Sequence, residues 1–386
     1  MSNKKLIPMS VTLGYVLDWG FWEMFRELAQ NCMDEQDSNI LFDMENNRIT
    51  LTNSGSIPIS ALLYGDGEKA SDSESRGRHC DGLKNALLVS LREEVKLSIS
   101  TAGSFWVPTI QFNDMFGKDT LHVEITEICD NPALGVSITI EDVSPYDMEY
   151  CKENLITPAS EPEIIFGSEK EGYAFEPFED EQPKLYVGGL YVGDMPKSWY
   201  EDKTYRYSYN MPPSLIKLDR DRNSINAYEI QGIIADILVR NNEIEILIDL
   251  GSCNCLDVEG YTEYKGSGTS HTGETTMHHT LAQRALALFY EQNGADAYPI
   301  SRGSSGIATQ LALVTEAGFK PVVVSEKLYS VYEKKAIKQF GIHEPNLFKP
   351  HAFLREMLEH KNYSLRGKAR QQVKDQLAYL DKYFPD

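Results

Sequence analysis

Residues 21–37, FWEMFRELAQNCMDEQD, constrain this chain more than any other stretch. They read as an amphipathic helix, bracketed at 18–37, whose polar face carries Glu27, Asn31 and Asp34 at spacings of four and three. Those spacings stack the three side chains on one helical face. A carboxylate placed there can activate a water, and an amide oxygen one turn later can hold Mg²⁺. A solvated helix surface has the same composition, and for this segment alone that plainer reading is favoured. The order of the segments downstream of residue 37 reverses the preference.

After the helix, NRITLTNSG reads as a short strand at 48–52 that stops on a turn. A long loop rich in Gly, Ser and Asp comes next, with one helical turn at 58–64, and GLKNALLVSLREE at 82–94 is a second helix. VKLSIST, SFWVPTIQF, LHVEITEI and LGVSITIEDV then alternate as strands do. Helix, strand, loop, helix and antiparallel sheet together predict a two-layer α+β domain over residues 1–150.

The stretch 157–183, rich in Pro and Glu, reads as an acidic linker into a second α/β domain at 151–255. That domain begins with a hairpin around Gly188-Gly189 in PKLYVGGLYVGD, and its helix is NAYEIQGIIADILVRNN. Beyond a Gly/Ser/Thr-rich stretch at 266–276, a third segment (256–386) reads as helix 277–292, strand AYPIS, helix 304–317, strand KPVVVS and further helices. A small parallel βαβ layer is expected there.

Composition narrows the function classes. A net charge of −21 argues against broad nucleic-acid binding. Residues 331–386 carry eleven Lys/Arg against seven Asp/Glu, so a nucleic-acid partner is expected only through this basic tail, where a solvated helical surface is the commoner explanation. No apolar run is long enough to span a membrane, and MSNKKLIPMS lacks a signal-peptide core. Six scattered cysteines suit reduced thiols, so a cytoplasmic protein is expected. His271, His278 and His279 lack metal-ligand spacing, and Gly303-Ser304-Ser305-Gly306 lacks the lysine of a phosphate loop.

The pieces between the two first helices carry a second chemistry. Asn53-Ser54-Gly55 ends a strand, Gly65 and Gly67 precede Lys69, and Gly77 to Gly82 leads into Lys84 at the head of a helix. Glycines admit backbone N–H groups to a polyphosphate, a helix N-terminus favours anions, and Lys69 or Lys84 can neutralise phosphate oxygens.

In this order the motifs resemble the GHKL (Bergerat-fold) ATPases, which include gyrase, the large heat-shock chaperones, histidine kinases and mismatch-repair ATPases. The resemblance covers roughly residues 15–145 and is nearest to a bacterial and phage branch of ATP-binding proteins. It implies Glu27 as general base for the attacking water and Asn31 as the Mg²⁺ ligand, with Asp34 on the same nucleotide face. It implies Asn53 and Gly55 at the adenine, Gly77 and Gly82 at the phosphates, and the loop 65–82 as an ATP lid. It also implies a transducer-like middle domain that sends Lys217, Arg220 or Arg222 to the γ-phosphate, although Asp219-Arg220-Asp221-Arg222 reads equally as a salt-bridged turn.

Two positions depart from the family pattern. Asn53, or Thr52 if the alignment shifts by one, stands where the family has an adenine-reading Asp, and Cys80 stands at a usual glycine. Two functions are therefore expected in competition. One is a slow Mg-ATPase whose lid closure switches self-association, as a homodimer, or binding of a protein partner. The other is an inactive nucleotide-sensing or interaction protein on the same scaffold, such as a phage or defence factor.

Overall fold

The computed structural model describes residues 4–63, 81–128, 135–157, 160–178, 181–197, 203–216, 227–253, 255–263, 272–304, 306–333, 355, 358 and 367–383. Contacts divide the chain into two units, Met1–Ile230 and Gln231–Asp386. Both helices and strands build each of them, so the fold is α+β.

The first unit opens with β1 (Lys4–Pro8), α1 (Phe21–Met33), β2 (Asn39–Asp43) and β3 (Arg48–Asn53). Next come α2 (Gly82–Arg92), β4 (Lys96–Thr101), β5 (Ser104–Asn113), β6 (Lys118–Glu127) and β7 (Val136–Glu141). The seven strands form one sheet in the order β1-β6-β5-β4-β7-β3-β2. Every neighbouring pair is antiparallel. Alternate residues of the inner strands, among them Ile49, Leu51, Ile99, Val123 and Ile140, are buried with Met24, Phe25 and Leu28 of α1 and Leu87 and Leu88 of α2. Helices lie against a sheet because each presents an apolar face that only the other can cover.

Helix α1 is shorter than its sequence pattern. It starts after Gly20, whose backbone N–H donates to Glu23 Oε2 at 2.9 Å, and it ends with Asp34 as its C-cap. The acidic run Asp34, Glu35 and Asp37 explains the early stop, because carboxylates oppose the negative end of the helix dipole. Asp37 then turns the chain through a left-handed conformation with φ 53°. The helical turn expected at 58–64 is a 3₁₀ turn at Ile59–Leu62.

The unit continues through α3 (Pro145–Glu153), β8 (Phe166–Ser168), β9 (Gly172–Phe175), β10 (Lys184–Val187), β11 (Leu190–Asp194) and β12 (Ser208–Met211). A second sheet runs β11-β10-β12-β9-β8, with β10 and β12 parallel. The stretch 157–183, read as a linker, thus supplies two strands. Three of its aromatic residues, Phe166, Tyr173 and Phe175, are buried, while Ile164 and Phe178 stay exposed.

The expected hairpin turns on Gly188 (φ 58°) and Gly189 (φ 84°), the pair of positive φ values a tight two-residue turn requires. A Cβ at Gly189 would also sit 2.8 Å from the Ile156 carbonyl oxygen. Gly189→Ala is therefore expected to cost about 1–3 kcal/mol, measurable as a lowered denaturant midpoint with an unchanged slope.

Helix α4 (Ala227–Arg240) crosses the division between the units. The second unit then has α5 (Ile244–Cys253), α6 (Glu259–Glu263), α7 (Thr272–Asn293), β13 (Ala297–Ser301), α8 (Ile307–Glu316), β14 (Lys320–Val324), α9 (Glu326–Glu333) and α10 (Lys368–Tyr383). Strands β13 and β14 pair in parallel across α8, the βαβ layer that the sequence predicts. The ring centroids of Phe289 and Tyr332, from α7 and α9, lie 5.2 Å apart in its core.

Candidate functional site

The sequence-predicted site gathers around α1. Glu27 projects from its second turn and is 7% exposed. Its carboxylate lies directly against Gly82, the first residue of α2, and a Cβ added at Gly82 would overlap Glu27 Oε2. Two motifs separated by more than fifty residues therefore meet at one point, and only glycine leaves room for the carboxylate there. Arg26, itself buried, brings Nη2 to 3.9 Å from Glu27 Oε1 and balances a charge held away from water.

Asn31 follows one turn beyond Glu27, on the same helical face, and is half-buried. Asp34 lies at the helix end, also half-buried, with its backbone N–H bonded to the Gln30 carbonyl oxygen. Among the described residues no group of three or more His, Cys, Asp or Glu forms a metal cage. An Asn one helical turn from a carboxylate still fits Mg²⁺, which takes few protein ligands and fills its shell with water and phosphate oxygens.

The turn after β3 is stitched to the C-terminal end of α1. Asn53 Nδ2 donates to the Cys32 carbonyl oxygen at 3.4 Å, and Asn53 Oδ1 accepts from Gly55 N–H at 3.0 Å. Ser54 donates from both N–H and Oγ to the Gln36 carbonyl oxygen, each at 2.9 Å. Gly55 passes close to Glu35, whose side-chain atoms would lie 3.1 Å from an added Cβ. Cys32 donates from Sγ to the Thr52 carbonyl oxygen at 3.2 Å, and burial pushes its thiol pKa up. Asn53 thus bonds within the protein through both ends of its amide. Asn53→Asp removes the donor to Cys32 and sets two oxygens face to face, which should cost about 1 kcal/mol in urea titration.

Lys84, placed by its sequence position to neutralise phosphate, is fully buried. Its ammonium donates to the Leu63 carbonyl oxygen at 2.5 Å and lies 3.6 Å from Asp81 Oδ1. It therefore ties together the residues that flank segment 64–80. Lys69, Gly77 and Cys80 in that segment lie outside the described residues, as do Gly65, Gly67, Lys217, Arg220 and Arg222.

Several polar side chains at the α1–α2 packing were not singled out by motif. Arg26 and Gln30 on α1, and Asn85 on α2, are all at most 3% exposed. Each occupies a position the apolar helical period would give to a hydrophobic residue, and that mismatch is the signal by which sequence can find them. In the second unit, a Cβ at Gly303 would lie 2.9 Å from Glu326 Oε2, so the loop after β13 faces a carboxylate and is poorly suited to phosphate. No helix among the described residues is long and apolar enough to cross a membrane.

Helix α1 also faces the second sheet. Trp22 meets Tyr150 of α3 edge-on at 5.7 Å and Tyr191 of β11 at 6.3 Å. Met33 Cε would lie 3.4 Å from a Cβ at Gly189. One helix thus carries the candidate carboxylate on one side and touches the β10–β11 hairpin on another. No protein-family model matches the chain, and no curated protein matches it either.

Proposed function

We propose that the first unit binds Mg-ATP and hydrolyses it slowly, and that the nucleotide cycle switches self-association or the binding of a protein partner. The observation that carries this reading is the contact of the Glu27 carboxylate with Gly82. It sets a candidate base at the helix start that follows a glycine-bounded segment. Glu27 takes a proton from water, and the water oxygen attacks the γ-phosphorus. The bond from the γ-phosphorus to the β,γ-bridging oxygen breaks, and ADP leaves with its electron pair. Asn31 would hold Mg²⁺, which supplies neutralisation of the phosphate charge. Trp22 and Met33 would carry a shift of α1 to the second sheet, a packed contact of the kind that converts small displacements into switching.

A second reading has its own support. Asn53 and Lys84, two side chains expected at the ligand, are engaged inside the protein, as suits a nucleotide-blind interaction module. Thermal shift with ATP, with and without Mg²⁺, followed by phosphate-release assay, separates the two. Stabilisation with turnover supports the ATPase. Stabilisation with no turnover supports a nucleotide-gated switch. No stabilisation at millimolar ATP rejects nucleotide binding.

A further inference from the structure

Gln30 is fully buried, and both its side-chain nitrogen and its side-chain oxygen lack a hydrogen-bond partner among the described residues. Asn85 is 2% exposed, and its side-chain oxygen likewise lacks one. Native interiors rarely leave such atoms unpaired, and an amide with both ends unpaired is rarer still. The two residues stand on different helices. Each lies one turn from the same point, because Gln30 is three residues beyond Glu27 and Asn85 is three residues beyond Gly82.

We propose that Gln30 and Asn85 hold the attacking water beside Glu27, an inference that rests on the ATPase reading. The chemistry of the set matches a water molecule. Gln30 Nε2 offers a donor, Asn85 Oδ1 offers an acceptor, and Glu27 offers the acceptor that becomes the base. A buried water makes about three such bonds. Here it gives one hydrogen to Glu27 and the other to Asn85 Oδ1. It accepts from Gln30 Nε2 and keeps its second lone pair for phosphorus. The proton then passes to Glu27 as the P–O bond forms and the bond to the ADP oxygen breaks.

The test compares wild type, Gln30→Met and Asn85→Leu, each near the original side chain in size but without its polar atoms. Melting temperature, affinity for a nonhydrolysable ATP analogue with Mg²⁺, kcat and KM are measured for each. Gln30→Met is expected to melt at or above the wild-type temperature, since it removes unpaired polar atoms. It should hold analogue affinity and KM within about 3-fold while kcat falls at least about 10-fold. Asn85→Leu should change in the same direction, and it carries the test if Gln30→Met fails to fold. An unchanged kcat overturns the inference. So does a lowered melting temperature with a kcat per folded molecule equal to wild type, which is the signature of a structural role. Wild-type protein that binds no analogue overturns the ATPase reading and this inference together. Wild-type turnover with variants that keep their kcat overturns this inference alone.

Discussion

Glu27→Ala should abolish phosphate release, by about 100-fold or more, while the protein still binds a nonhydrolysable ATP analogue. The separation follows from where the carboxylate sits. It lies one turn before Asn31, the candidate Mg²⁺ ligand, and against Gly82 at the start of α2. Its removal therefore takes away the proton acceptor without touching the proposed metal ligand. Glu27→Gln is the sharper companion, because it keeps the shape beside Gly82 and Arg26 and loses only basicity. Unchanged turnover in either variant rejects the general-base role. Loss of analogue binding in both would move Glu27 from chemistry to ligand binding or folding.

Gly82→Ala should be nearly as damaging to turnover, by about 10-fold or more, with a much smaller effect on folding. The added methyl would overlap Glu27 Oε2, the far end of a side chain that can rotate away. Gly82 has a backbone conformation open to other residues, since its φ is not positive. The strain therefore falls on the carboxylate position rather than on the main chain. The expected result is a folded protein with a melting temperature within a few degrees of wild type and sharply reduced phosphate release. A variant with full activity would show that the Glu27–Gly82 contact has no part in the chemistry. Gly82→Ala and Glu27→Ala combined should be little worse than Glu27→Ala alone, because both act through the same carboxylate.

Much of this architecture is legible in the sequence, wherever a local rule decides. The inner strands of the large sheet declare themselves by alternation, as in LHVEITEI, which covers most of β6. The Gly188-Gly189 pair specifies its hairpin, and AYPIS and KPVVVS enclose their helix as a parallel pair. Elements settled by partners far along the chain are not legible. β1 is an edge strand whose largely exposed side chains carry no alternation signal and whose partner, β6, lies more than a hundred residues on. β8 and β9 lie in a stretch where polar residues outnumber the three buried aromatics that hold it in the sheet. The site divides the same way. Glu27 and Gly82 stand out by motif, and the structure brings them together. The attachment of Lys84 to Leu63, across twenty-one residues, depends on how the chain returns after β3 and has no sequence signature. Asn53 presents a related case, since an Asn two residues before a Gly says nothing of the Cys32 carbonyl it will meet.

Two positions singled out by motif, Asn53 and Lys84, acquire physical content from these contacts. Asn53 supplies a donor that closes the turn onto α1, which a carboxylate would not. Lys84, held in a fully buried position, secures the residues on both sides of segment 64–80. For it to reach a phosphate, the bond to Leu63 would have to be exchanged for one to the ligand. In the proposed function, that exchange would couple nucleotide arrival to the root of the segment.

The most direct test of nucleotide binding at the α1–α2 site is calorimetric titration of the intact chain with a nonhydrolysable ATP analogue and Mg²⁺. The proposed function predicts saturable binding of one analogue per chain, weakened by chelating the Mg²⁺ and preserved in Glu27→Gln. No detectable binding at millimolar analogue, with the protein folded, would contradict it.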